Sequence, residues 1–295
     1  MLNRESTSSV QLQLLWCPSG PGPIGIPEAV HCRKIAFGSG FLYRIDGQDF
    51  LVTARHNFTG RHWQTNACLG HPPVEPTHLR MVFLPPTPPD GYKLTVGDEL
   101  QQRHAAMQIL MPVYNVELLD EDWKPLWLQH PHYGPQMDVA AIALTNLMEK
   151  VLAVPWEPPK ADGSLWTEIA PGDDVLVIGY PYGLSSGPLL PLWIRGTIAT
   201  EPALGFRVDG ETMPLMLIDA RTRKGQSGSA VMRRCPRGTT VFTEGEDKVQ
   251  GYLLGSRSEL VGVYSGRTSD ESDLGYVWPV GEIDVICRAG VAGTL

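Results

Sequence analysis

Punctuation constrains this 295-residue chain more than any other feature. Its 31 glycines and 26 prolines are spread along the whole length, and between them lie short runs rich in β-branched and aromatic residues. Examples are FLYRI (41–45), DFLVTA (49–54), LRMVFL (79–84), DVAAIAL (138–144), DVLVIGY (174–180), PLMLIDA (214–220), LVGVYS (260–265) and YVWPV (276–280). Each is of strand length and bounded by turn formers, the pattern of an all-β sandwich or barrel. Two stretches read as helix instead: 145–154, and 280–290, where Gly290 supplies the stop. Pro-rich spacers fall at 72–90 and 155–163, the second near mid-chain. The expected layout is an N-terminal segment 1–30, a first β body 31–160 carrying a Pro-rich insertion at about 59–135, and a second body 161–295 with a C-terminal helix.

Composition narrows the partners. Hydrophobic residues are 42% and charged residues 19%, as in a globular protein. Twenty-four basic against 32 acidic residues give a net charge of −8, which repels phosphate backbones and argues against nucleic acid. No apolar run is long enough to span a bilayer, so no membrane partner is expected. The first 20 residues contain no signal-peptide core. Cys17, Cys32, Cys68, Cys235 and Cys287 are odd in number, widely spaced and without a CxxC. Together these features predict reduced thiols and a cytoplasmic location. His62, Cys68, His71 and His78 fit no zinc spacing and read as a surface loop with scattered histidines.

Three segments carry chemistry. In GQSGS (225–229), Ser227 lies between small residues, as a nucleophile at a tight turn requires, and glycine leaves backbone N–H groups free to face a developing oxyanion. The same letters also describe an ordinary Gly/Ser turn. In FLVTARHNF (50–58), a β-rich run ends at His56, where a base is both held and reachable. In MDVAAIAL (137–144), Asp138 immediately precedes an apolar strand. Each of these has a structural explanation too. The order His56, Asp138, Ser227 differs from that of the nucleophile-elbow hydrolases and of subtilisin-like enzymes, and three motifs in this order are hard to produce by chance.

With GSGFL (38–42), VIGYPYG (177–183), IRGTIAT (194–200) and GYVWPV (275–280), the chain resembles the chymotrypsin-fold, trypsin-like serine proteases, within them the bacterial HtrA-type branch. The resemblance covers about residues 36–286. It implies two packed six-stranded Greek-key β-barrels with a short C-terminal helix, no cofactor or metal, and a polypeptide substrate. It assigns nucleophile to Ser227, general base to His56 and imidazole orientation to Asp138. It puts the oxyanion hole at the N–H groups of Gly225 and Ser227. Ser265, Gly266 and Arg267 become the edge that pairs with substrate backbone, Ser265 also supporting Asp138.

Departures from the branch are visible. No extension long enough for a PDZ domain follows residue 288, the base and carboxylate are unusually far apart, and Ser229 stands where glycine is commoner. Arg221, near the base of the primary specificity pocket, selects acidic side chains if it points inward. Pointing outward, it leaves a pocket for small or aliphatic ones, the favoured reading because an unpaired buried arginine is costly. The leading function is a serine endopeptidase, conditionally activated by a protein partner. The alternatives are a catalytically silent peptide-binding module and, third, an esterase or acyltransferase.

Overall fold

The computed structural model describes residues 4–17, 32–71, 73–84, 111–145, 151–158, 165–187, 189–243 and 250–295; of the stretch 145–154, read above as helix, 146–150 lie outside them, and the described residues 145 and 151–154 are not helical. After a short helix α1 (Arg4–Ser8), the first half is one antiparallel sheet. Its strands are β1 (Ser9–Trp16), β2 (Arg33–Ile45), β3 (Gln48–Thr53), β4 (His78–Val82), β5 (Val113–Glu117), β6 (Leu128–Gln129) and β7 (Ala140–Leu144). They are ordered β5-β4-β1-β2-β3-β7-β6, which among the described residues is a half-barrel sheet and not a closed six-stranded barrel. Helix α2 (His56–Thr59) follows β3.

The second half contains β8 (Leu165–Trp166), β9 (Asp174–Gly179), β10 (Leu192–Ile198), β11 (Phe206–Val208), β12 (Glu211–Met213), β13 (Met216–Ala220), β14 (Ser229–Cys235), β15 (Thr240–Thr243), β16 (Gln250–Tyr252), β17 (Arg257–Arg267) and β18 (Leu274–Pro279). Six of these close a barrel in the order β10-β13-β18-β17-β14-β9. Helix α3 (Val280–Ala289) follows and ends at Gly290, whose φ of 61° is the left-handed stop that the sequence predicts. The mostly β, chymotrypsin-like architecture is the one expected.

Alternation along the strands assigns each face its task. On β9, Val175 and Val177 fill the barrel interior, while Ile178 faces the first half. On β2 and β3, Phe41, Tyr43, Phe50 and Val52 face the second half, and Leu42 and Leu51 fill the core on the other side of the sheet. The largest buried cluster therefore lies between the halves, where Ile283 and Ile286 of α3 join it. Full burial of such side chains is worth roughly 1.5–3 kcal/mol each. Tyr43 Oη donates to Asp284 Oδ1 at 2.5 Å and Arg288 Nε to Asp46 Oδ2 at 3.0 Å, fastening α3 to the first half.

Two sequence expectations change. β1 falls in the stretch set apart as an N-terminal segment, yet it pairs with β2 and β4 at the centre of the first sheet. Cys17 and Cys32 form a disulfide, which corrects the expectation of five reduced thiols. Antiparallel pairing of Trp16 with Arg33 brings these two cysteines opposite each other, a proximity their sequence spacing does not reveal. The cysteine argument for a cytoplasmic location therefore no longer holds. Cys68, Cys235 and Cys287 are free thiols.

Candidate active site

Strand pairing closes the 82-residue gap between His56 and Asp138. β3 runs beside β7 with Thr53 opposite Ala140, so the residue leaving one strand meets the residue entering the other. Asp138 is fully buried; its Oδ1 accepts the backbone N–H of His56 at 2.9 Å, and its Oδ2 lies 2.7 Å from His56 Nδ1. Two contacts from one carboxylate fix both the backbone and the ring of the histidine. With Nδ1–H donating to the carboxylate, Nε2 is left as the basic nitrogen.

A buried cation stands behind this pair. Arg55 Nη2 donates to the Thr294 carbonyl at 2.5 Å, and its guanidinium lies 5.6 Å from the Trp127 ring centroid. Burial lowers its pKa, and the charge of Asp138 works against that shift. The C-terminal residues that supply this carbonyl are held by β6 and its approach: Gly293 N–H donates to Trp127 O, and Thr294 N–H and Oγ1–H both donate to Gln129 Oε1.

Ser227 occupies the turn between β13 and β14, in the second half, yet residues of the first half hold it. Its carbonyl accepts from Ser39 N–H at 3.0 Å and from Asn57 Nδ2 at 2.9 Å, and Asn57 directly follows the histidine. Ser39 Oγ donates to the Gly225 carbonyl at 2.7 Å and accepts from Tyr180 N–H at 2.9 Å. A β-carbon on Gly228, at φ 89°, would run into the Ser39 carbonyl and Thr53 Oγ1, so no other residue fits there. Ser229 is buried with its Oγ unpartnered, facing the bare Cα of Gly179. His56, Gly225 and Ser227 line one groove of about 560 Å³.

The peptide between Lys224 and Gly225 is anchored by its carbonyl, which accepts from Tyr182 N–H at 2.6 Å. In a trans peptide the N–H points opposite to the C=O, so the Gly225 N–H is directed away from Tyr182. Neither this N–H nor that of Ser227 has a partner among the described residues. Gln226 is turned inward, its Oε1 accepting from Arg223 N–H at 2.8 Å.

The residues expected at the substrate edge lie at the end of β17. β14 begins at Ser229, opposite Tyr264, so Ser265, Gly266 and Arg267 continue past it with one side unpaired among the described residues, while Gly266 and Arg267 pair with β18 on the other. Gly266 has a φ of 153° and nothing within 4 Å of where a β-carbon would stand. The predicted support of Asp138 by Ser265 is not seen: among the described residues no hydrogen bond joins them, and Ser265 Oγ accepts from Trp278 Nε1 at 3.2 Å, where β18 lies against β17. Arg267 Nη2 reaches Asp270 Oδ1 at 3.4 Å. Arg221 is exposed. Behind it Thr222 Oγ1 and Tyr264 Oη share a buried hydrogen bond of 2.5 Å, and burial pushes Tyr264 up to about 12. Sequence reading missed Ser39, Asn57 and Tyr182; GSGFL was singled out, but nothing in it names the carbonyls that Ser39 serves.

Comparison with known proteins follows the same lines. The model of the trypsin-like peptidase domain matches residues 38–237. A search of curated proteins finds no match. Similar solved structures include an HtrA-type protease, AlgW, with a tripeptide, at 13% identity and TM-score 0.46, covering 97% of this chain and 60% of that one. A serine endoprotease from Yersinia pestis shows 14% identity and TM-score 0.44, with 97% and 65% coverage. The Rv3671c protease from M. tuberculosis, in its active form, shows 19% identity and TM-score 0.41, with 99% and 83% coverage. The chain thus spans less than two thirds of the length of the first and second of these. On the family match over residues 38–237, the chain belongs to the trypsin-like peptidase domain family, a family of serine proteases.

Proposed function

We propose that this protein is a serine endopeptidase acting through Ser227, His56 and Asp138. Ser227 Oγ attacks the scissile carbonyl carbon as its proton passes to His56 Nε2, and the carbonyl electron pair moves onto oxygen. That oxyanion sits between the N–H groups of Gly225 and Ser227, a contribution of roughly 3–4 kcal/mol per donor in comparable sites. Collapse of the tetrahedral species breaks the C–N bond, and the imidazolium returns its proton to the leaving amine. Water, deprotonated by the same imidazole, then releases the acyl group from Ser227. Asp138 keeps Nδ1 protonated and stabilises the imidazolium.

The observation that carries this reading is His56, bonded twice to the buried Asp138 and lining one groove with Gly225 and Ser227, whose N–H groups have no partner among the described residues. The anchored Lys224 carbonyl supports an assembled oxyanion hole, which favours catalysis over the silent binding module and lends nothing to activation by a partner. The exposure of Arg221 supports a primary pocket for small or aliphatic side chains rather than acidic ones. The test is labelling by a fluorophosphonate probe together with cleavage of a polypeptide. Wild-type protein labels and cleaves, and Ser227→Ala does neither. Wild-type protein that never labels overturns the proposal.

A further inference from the structure

The groove that holds Ser227 extends away from the β17 edge. From His56 and Ser227 it passes between the β1–β2 ends and residues 60–76, and no residue of β17 lines it. On the reading above, the acyl part of a substrate lies along Ser265–Arg267. The chain beyond the scissile bond must then leave through this groove.

The charge of its walls is one-sided. Apart from His56, the ionisable residues lining it are Arg33, Lys34, Lys224 and His71, and no aspartate or glutamate lines it. All four are exposed, and none has a carboxylate within ion-pair distance among the described residues. Unpaired arginines also occur elsewhere on the described surface, Arg207, Arg234 and Arg237 among them, so what distinguishes the groove is the gathering of Arg33, Lys34 and Lys224 on one wall with no acid between them. Glu75, between the lining residues Val74 and Pro76, is already paired with Arg61 at 2.7 Å. In a molecule of net charge −8, this groove is locally basic. Between them the floor is apolar, formed by Leu14, Ile35, Phe37, Leu69 and Val74.

We infer that the leaving-group side of this site selects polypeptides with aspartate or glutamate among the first few residues after the scissile bond, interspersed with apolar ones. The inference rests on the endopeptidase reading and adds to it a substrate class. Cations on a groove wall steer an acidic segment in and repel a basic one, an effect that salt weakens.

The test is a set of quenched fluorescent peptides sharing one acyl side, with Asp/Glu, Asn/Gln or Lys on the leaving side. Wild-type protein is expected to cleave the acidic series with kcat/KM about 10-fold above the lysine series at low salt. The ratio should shrink as salt rises from about 0.01 M to about 1 M, where the screening length drops from about 30 Å to about 3 Å. The double variant Arg33→Glu/Lys34→Glu should reverse the charge preference, read as the ratio of kcat/KM for the acidic series over the lysine series. Equal rates across the series, or a preference for lysine, overturn the inference and leave the endopeptidase reading intact. Absence of both cleavage and fluorophosphonate labelling overturns the endopeptidase reading, and this inference with it.

Discussion

Asn57 shows how much one side chain can settle. Its Nδ2 bridges Thr53 Oγ1 at 2.8 Å and the Ser227 carbonyl at 2.9 Å, tying the strand before His56 to the backbone of the proposed nucleophile. It touches no reacting atom and acts as a positioning residue. Asn57→Ala removes one of the two donors to the Ser227 carbonyl and should cost about 1–3 kcal/mol of stability. It should also lower kcat by about 10-fold while KM changes little, because a displaced nucleophile loses orientation rather than binding. Thermal melts and steady-state kinetics on one peptide check both halves; a kcat that does not move refutes the positioning role. The triad candidates were legible in the sequence because each sits where a strand meets a turn. Asn57 and Ser39 were not, because what they do depends on residues 170 and 186 positions away.

At the scale of elements, periodicity carried most of the fold. The runs at 41–45, 49–54, 174–180, 214–220 and 276–280 all overlap strands, and Gly290 ends α3. β1 escaped although its pattern is plain in retrospect: Val10, Leu12 and Leu14 are buried, and Gln11 and Gln13 alternate with them. The polar partners of that alternation disguised a central strand as an N-terminal segment outside the sheet. The residues after α3 carry a testable consequence. Gly293 lies flat against the Trp127 ring, leaving no space for a β-carbon. Gly293→Ala should therefore destabilise the protein by about 1–3 kcal/mol through overpacking. It should also slow fluorophosphonate labelling, since Thr294 would shift from Arg55, the neighbour of the base. Gly255→Ala, where nothing stands within 4 Å, is the control and should stay within about 0.5 kcal/mol. Equal melting temperatures for the two variants would contradict this packing account.

For the molecule as a whole, acid should act through buried histidines before it acts through carboxylates. His130 Nδ1 accepts the N–H groups of His132 and Tyr133 at 3.1 Å each, and its Nε2 lies 3.1 Å from Glu282 Oε2. Burial, and then the charge of His132, lower its pKa; burial lowers that of His78 too. The unfolded chain then binds protons first, so the stability these groups contribute is present above about pH 6.5 and is lost as pH falls below it. Glu259 follows at lower pH. Burial alone would raise it, but hydrogen bonds from Thr167 and Arg257 and the charges of Arg257 and Arg233 hold it below the usual carboxylate range. Its contribution is present above the unfolded carboxylate pKa and disappears as pH falls through its own lower one. Melting temperature should decline from about pH 7.5 to about pH 5.5, and His130→Gln should flatten that decline; an unchanged slope would exclude His130 as a contributor. The grip of Ser39 on the Gly225 and Ser227 turn has one more consequence, for biogenesis. A polypeptide still emerging during synthesis has no template for its nucleophile loop until both halves have docked, so cutting power arrives last and all at once. Separately expressed halves should be inert when alone and regain turnover when they reassemble.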